Sequence, residues 1–161
     1  MNSAPQPATA VFLTLKFDRD EIWLRFDNAN NWQERYRQIM ILGKILPELE
    51  DEFRVGQAQV RGCESNAWLY HSEIKGKHYY LADSDARILK GLIALLLIAC
   101  HGKSTDEIAS FDIDVYFDRL GLTGQLSPSR TNGLFALAKA IKALALASPL
   151  RSSLEFKPTS G

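Results

Sequence analysis

Apolar positions recur at helical spacing over much of the chain and at alternating spacing over a short middle part. Ile22, Trp23 and Phe26 line one side of a short helix predicted from Asp20. Trp32, Tyr36, Ile39, Met40 and Gly43 continue at helical spacing, which predicts a second helix with one buried face, ending before Pro47. Asn31 stands where its side chain accepts from amides ahead of it, and Glu34 follows three residues on, a variant of the capping box. Alternation then takes over. One strand is predicted to end near Val60, one to run over about residues 67–71 and one over about residues 77–81. The last two flank Lys75-Gly76, a pair suited to a tight antiparallel turn.

Asp83-Ser84-Asp85 reads as the opening of the next helix, with carboxylates capping amides at the positive end of the helix dipole. Residues 92–100 are apolar all round, so that helix is expected at the centre of the core. Cys100 ends this run and reads as a small hydrophobe, and Gly102 as the left-handed stop. Ser104 and Glu107 form a capping box, and residues 112–120 a further helix stopped by Gly121. The last helix, capped by Ser127 or Ser129, carries Leu134, Leu137, Ala138, Ile141, Leu144 and Ala145 on one face and Lys139 and Lys142 opposite. The acidic run at 48–52 reads as a solvated connector. The expected organisation is a flexible N-terminus over 1–15, a single domain over 16–148 and a flexible tail over 149–161. The predicted fold is α+β: a small antiparallel sheet of about three strands packed against a helical layer with one central buried helix.

Composition narrows the function classes. Nineteen basic and nineteen acidic residues cancel, leaving no global field to draw nucleic acid or an anionic membrane. No apolar run approaches the length of about eighteen residues that a membrane span needs. Two cysteines make no disulfide framework and too few ligands for a zinc or iron–sulfur site. His71 and His78, read as facing each other across the hairpin, lack a third donor, so no metal and no cofactor is expected. The chain reads as a cytoplasmic domain with reduced thiols.

The candidate chemistry lies in residues 60–70. Gly62 reaches backbone angles closed to other residues and lets the chain turn sharply, which presents Cys63 at a tip before the strand that carries Trp68 and Tyr70. Arg61 favours the thiolate and Glu64 opposes it. A bland alternative is a cysteine packed under a turn.

Gly62-Cys63-Glu64-Ser65 followed by Trp68 resembles the cysteine loop of the SufE/CsdE family of sulfur-acceptor proteins, the partners of pyridoxal-phosphate (PLP) dependent cysteine desulfurases. Three further blocks resemble that family in the same order. They are Trp32-Gln33-Glu34-Arg35-Tyr36 with Leu42-Gly43-Lys44-Ile45-Leu46-Pro47, then Asp83-Ser84-Asp85-Ala86 with Lys90-Gly91-Leu92, then Leu126-Ser127-Pro128-Ser129-Arg130 with Gly133-Leu134. The wording around Tyr36-Arg37-Gln38 and Ile41-Leu42-Gly43-Lys44 is nearer the CsdE-like branch. The resemblance implies a fold like that of iron–sulfur scaffold proteins. It also implies an accessory protein, not an enzyme, that takes persulfide sulfur on Cys63, stimulates the desulfurase and passes sulfur on. The downstream acceptor would be an iron–sulfur scaffold complex or another client, and the chain a monomer or weak homodimer. Gly62, Glu64, Asp83, Asp85 and Arg130 are, by the same resemblance, residues that border or guard the loop.

Three other classes fit less well. A thiol redox protein using Cys63 wants a resolving cysteine, and Cys100 lies in an apolar helix. An iron–sulfur scaffold needs about three or four ligands. An interaction domain with an incidental thiol remains, and replacing Cys63 with serine discriminates it.

Overall fold

Helix α4 (Arg87–Cys100) organises the molecule, and in the computed structural model eleven of its fourteen residues are buried. The structure describes residues 6–62 and 65–147. Ahead of α4 come three helices: α1 (Thr9–Thr14), α2 (Arg19–Asp27) and α3 (Trp32–Gly43). Two 3-10 turns, Asp51–Phe53 and Gly56–Ala58, then lead to a hairpin of β1 (Ala67–Ile74) and β2 (Lys77–Ser84). After α4 follow β3 (Lys103–Ser104), α5 (Thr105–Ala109), α6 (Ile113–Arg119) and α7 (Pro128–Leu146). The fold is α+β, with an antiparallel sheet in the order β1-β2-β3.

Local chemistry explains most boundaries. Asp18 caps α2 through the amide of Glu21, and Asn31 caps α3 through the amide of Glu34. Ser104 and Glu107 close a full capping box on α5. Ser127 caps α7, with Pro128 in the first turn, where a missing N–H costs nothing. Lys75 and Gly76 both take positive φ, 54° and 80°, the combination a two-residue hairpin turn demands.

Cross-strand partners Trp68 and Asp83, and Tyr70 and Leu81, share one face of the sheet. The 49–54 connector covers that face: the Tyr70 hydroxyl donates to the Phe53 carbonyl at 2.7 Å, and the Arg54 guanidinium lies 5.1 Å from the Trp68 ring centre. On the opposite face the Tyr80 hydroxyl donates to the Ile141 carbonyl of α7 at 2.8 Å. Both sides of β2 are therefore dry near its end, and residues 80–84 are buried without alternation.

Several expectations are corrected. The segment near Val60 is not a strand; it makes one isolated bridge, Gln59 with Trp68, and the third strand is Lys103–Ser104. Residues 9–14, expected to be flexible, form a helix that buries Phe12 completely, and Leu15 is buried beside it. Tyr36 is 37 % exposed, and Leu42 takes its place on the buried face of α3. Asp83 and Asp85 do not cap α4, whose N-cap, Ala86, has no side-chain bond. Asp83 instead belongs to β2, one pleat beyond Leu81. His71 and His78 are diagonal rather than opposite, since His71 faces Tyr80 and Glu73 faces His78. The acidic connector is solvated as expected at Glu50, Asp51 and Glu52, while Leu49 anchors it in the core.

Candidate functional site

Two contacts pinch the base of the 61–66 loop. The Val60 amide donates to the Ala67 carbonyl at 2.8 Å, and the Gln59 side chain donates to Asn66 Oδ1 at 2.8 Å. Cys63 and Glu64 lie outside the described residues. Gly62 has φ 95°, and a Cβ there would stand 3.0 Å from the Cβ of Ala136 on α7, so the glycine serves both the turn and the close approach. Ser65 opens onto a pocket of about 200 Å³ whose walls include Ile88 and Leu89 of α4, Arg130 and Gly133 of α7 and its N-cap Ser127.

Arg130 is exposed at the third position of α7. A cation at that end of a helix opposes the dipole, so helix stability does not account for it. The structure thus brings Arg130 and Ser65 to one pocket, at the edge where Gly62 meets α7.

The other side of the loop is tied to the strand–helix junction. The Asn66 carbonyl accepts from Ser84 Oγ at 2.7 Å and from the Asp85 amide at 3.2 Å. Asn66 Nδ2 donates to Asp85 Oδ2 at 2.8 Å. Behind this contact Asp83, with no exposed surface, accepts from the Leu49 amide (2.9 Å), Arg54 Nη2 (2.8 Å), the Ser84 amide (2.8 Å) and Lys90 Nζ (3.2 Å). Burial alone would raise the pKa of this carboxyl. The Leu49 and Ser84 amides and the Lys90 charge outweigh it, and the group sits below its ordinary value. Arg54 Nη1 also reaches Asp85 Oδ1 at 3.6 Å. Asp83 therefore supports the junction from within, and Asp85 meets the loop directly.

Arg54 escaped the sequence reading. Its one local signal is its place just after an acidic run, and its partners Asp83, Asp85 and Trp68 are distant in sequence.

The second cysteine is a different kind of group. Cys100 is 1 % exposed, and burial pushes its thiol up to about 12, so it stays protonated and unreactive near neutrality. The histidines are likewise occupied within the fold. His71 Nε2 and His78 Nδ1 are 2.8 Å apart, and His78 Nε2 is 2.6 Å from Thr105 Oγ1, linking β1, β2 and α5. Burial, then the charge of His78, lowers His71 to about 4. His101 Nδ1 accepts from the Tyr80 amide and its Nε2 donates to the Leu15 carbonyl, fixing one neutral tautomer.

A family profile described as SufE, Fe-S metabolism associated domain, matches residues 20–145, a span that holds the whole loop, α4 and nearly all of α7. The chain belongs to the SufE family. Over 117 residues it is 43% identical to the sulfur acceptor protein CsdE of Escherichia coli K12, covering 72% of this chain and 80% of that protein. The solution structure of a hypothetical protein from Thermus thermophilus superposes with a TM-score of 0.62 over 79% of this chain and 91% of the other, at 17% identity. At that identity the likeness concerns the fold alone. Within this SufE-family chain, the matched span contains Gly62, Cys63, Glu64, Asp83, Asp85 and Arg130. No helix among the described residues is long and apolar enough to cross a membrane.

Proposed function

We propose that this chain is a sulfur acceptor that takes persulfide sulfur from a cysteine desulfurase onto Cys63. The observation that supports this most is the contrast between its two thiols. Cys63 falls in a loop whose flanks reach α7 on one side and Asp85 on the other, whereas Cys100 is sealed in the core with its thiol up at about 12. Membership of a family that includes a protein named a sulfur acceptor supports the same reading.

The transfer balances without a further reactant. The Cys63 thiolate attacks the outer sulfur of the desulfurase persulfide, the donor's S–S bond breaks, and the donor cysteine leaves as a thiolate. Cys63 then holds the terminal S–H, and one sulfane sulfur has moved with no net oxidation. The donor in this reading is PLP-dependent, and the product persulfide is handed to a downstream acceptor such as an iron–sulfur scaffold complex. The reducing cytoplasm is the fitting compartment for a carrier that works through free thiols.

Gly62, Glu64, Asp85 and Arg130 form the working surround of the loop in this reading, with Asp83 beneath it. Arg130 is suited to draw the thiolate and persulfide anions toward the α7 pocket, and the Asn66–Asp85 contact restrains the loop until a donor docks. The reading is tested by measuring alanine release by the desulfurase in the presence of this chain. Wild type and Cys100→Ala should both stimulate turnover, and Cys63→Ser should not. Stimulation by Cys63→Ser equal to that of wild type rejects the reading.

A further inference from the structure

Around the corner from the α7 pocket, α3 and the first turns of α4 enclose a second groove of about 380 Å³. Its walls carry Arg37 and Lys44 from the α3 side and Arg87 and Lys90 from α4, against the single carboxylate of Glu48. Arg37, Lys44 and Arg87 are exposed, and none of them has an ion-pair partner among the described residues. Its floor is apolar: Met40 is half-buried and Ile41 is 37 % exposed, with buried Gly43 beneath. A chain with zero net charge has thus gathered a local excess of positive charge over an apolar strip.

We infer that this groove docks an acidic, amphipathic segment of the sulfur-donating desulfurase. The inference rests on the sulfur-acceptor reading and adds the partner's contact surface to it. Charge complementarity selects carboxylates, and the Met40–Ile41 floor selects a segment that also presents apolar side chains. A nucleic acid would satisfy the cations but leave that floor uncovered, and the balanced overall charge gives it no long-range attraction.

Position supports the same occupant. The groove and the loop pocket lie on two sides of one helical turn, since Arg87 and Lys90 line the first while Ala86, Ile88 and Leu89 line the second. A donor that reaches the loop therefore lies close to the groove. Lys90 also joins the two sites chemically, because its ammonium pairs with Asp83, which shares Arg54 with Asp85 at the loop's exit. A carboxylate entering the groove competes with Asp83 for Lys90.

The test separates docking from chemistry by measuring calorimetric binding of the purified cognate desulfurase to the Cys63→Ser protein. Adding Arg37→Glu and Arg87→Glu should weaken binding at least tenfold. It should also flatten the loss of affinity between about 0.05 and about 0.3 M salt. Arg119→Glu, at an exposed position on α6 outside the groove lining, serves as the control and should change binding less than twofold. The milder pair Lys44→Gln and Arg87→Gln should fall between, and circular dichroism confirms folding of each. Equal affinity and equal salt dependence in the reversed variant overturn the inference, as does a desulfurase that does not bind at all. Weakened binding of an RNA oligonucleotide, or loss of a self-associated dimer on sedimentation, with desulfurase affinity unchanged, also overturns it in favour of those occupants. In parallel, wild-type protein is loaded with a small-molecule persulfide donor. Failure of Cys63 to gain sulfur there counts against the sulfur-acceptor reading, whatever the docking result.

Discussion

Asp83 concentrates four donors on one buried carboxylate, from Leu49, Arg54, Ser84 and Lys90. Replacing it with asparagine keeps the volume but leaves Lys90 without its carboxylate and Arg54 with only the longer Asp85 contact in a partly dry site, at a cost of about 3 kcal/mol. Because its folded pKa lies below the unfolded value of about 3.9, its contribution is complete above that value and fades as pH falls toward the folded pKa. Urea titrations of wild type and Asp83→Asn should therefore differ by a constant amount from neutrality down to about pH 5 and converge below about pH 4. A difference that grows on acidification would contradict this. Arg130 makes the opposite case, a residue whose loss should leave stability alone. Arg130→Ala removes a cation from the wrong end of α7, so the melting temperature should hold or rise slightly. Sulfur transfer should fall of order tenfold, the effect of one charge-assisted contact of about 1.4 kcal/mol. Unchanged transfer kinetics would remove Arg130 from the site.

At the scale of elements, α3 and α4 cross in close backbone contact. Gly43 and Gly91 meet there, and a Cβ on Gly91 would collide with the carbonyl and side chain of Ile39. That carbonyl belongs to a helix and cannot rotate away, so Gly91→Ala should cost about 3 kcal/mol or more in urea unfolding. Gly43→Ala, whose Cβ would stand 3.0 Å from the Gly91 amide nitrogen, should cost less. Equal stability of both variants with wild type would disprove the close crossing. Elements with local signals were legible in the sequence: the Lys75-Gly76 hairpin, the Asn31 and Ser104 caps, the apolar α4 and the Gly121 stop. Those built by distant partners were not. β3 has two residues and exists through its pairing with Lys77 and His78, and α1 survives because Phe12 and Leu15 find the core. Asp-Ser-Asp before a helix spells a cap, yet Arg54 and Lys90 arrive from elsewhere and hold Asp83 in the strand.

Across the whole molecule, one core cluster runs from Phe12 to Ala145, with α4 at its centre. At one corner of that core lie the end of β2 and the starts of α4 and α7, which carry the pocket and the Asp83 network, with the basic groove between α3 and α4 beside them. The family was readable from four short blocks, all of which lie within the matched span. Arg54 and the basic groove were not, since their residues come together only through folding. The most direct measurement compares the protein's two thiols. The protein is incubated with a desulfurase and cysteine, alkylated, digested and read by peptide mass spectrometry. The expected result is one extra sulfur atom on the peptide that contains Cys63 and none on the peptide that contains Cys100. Added sulfur on Cys100, or an unmodified Cys63 while the desulfurase turns over, would contradict it.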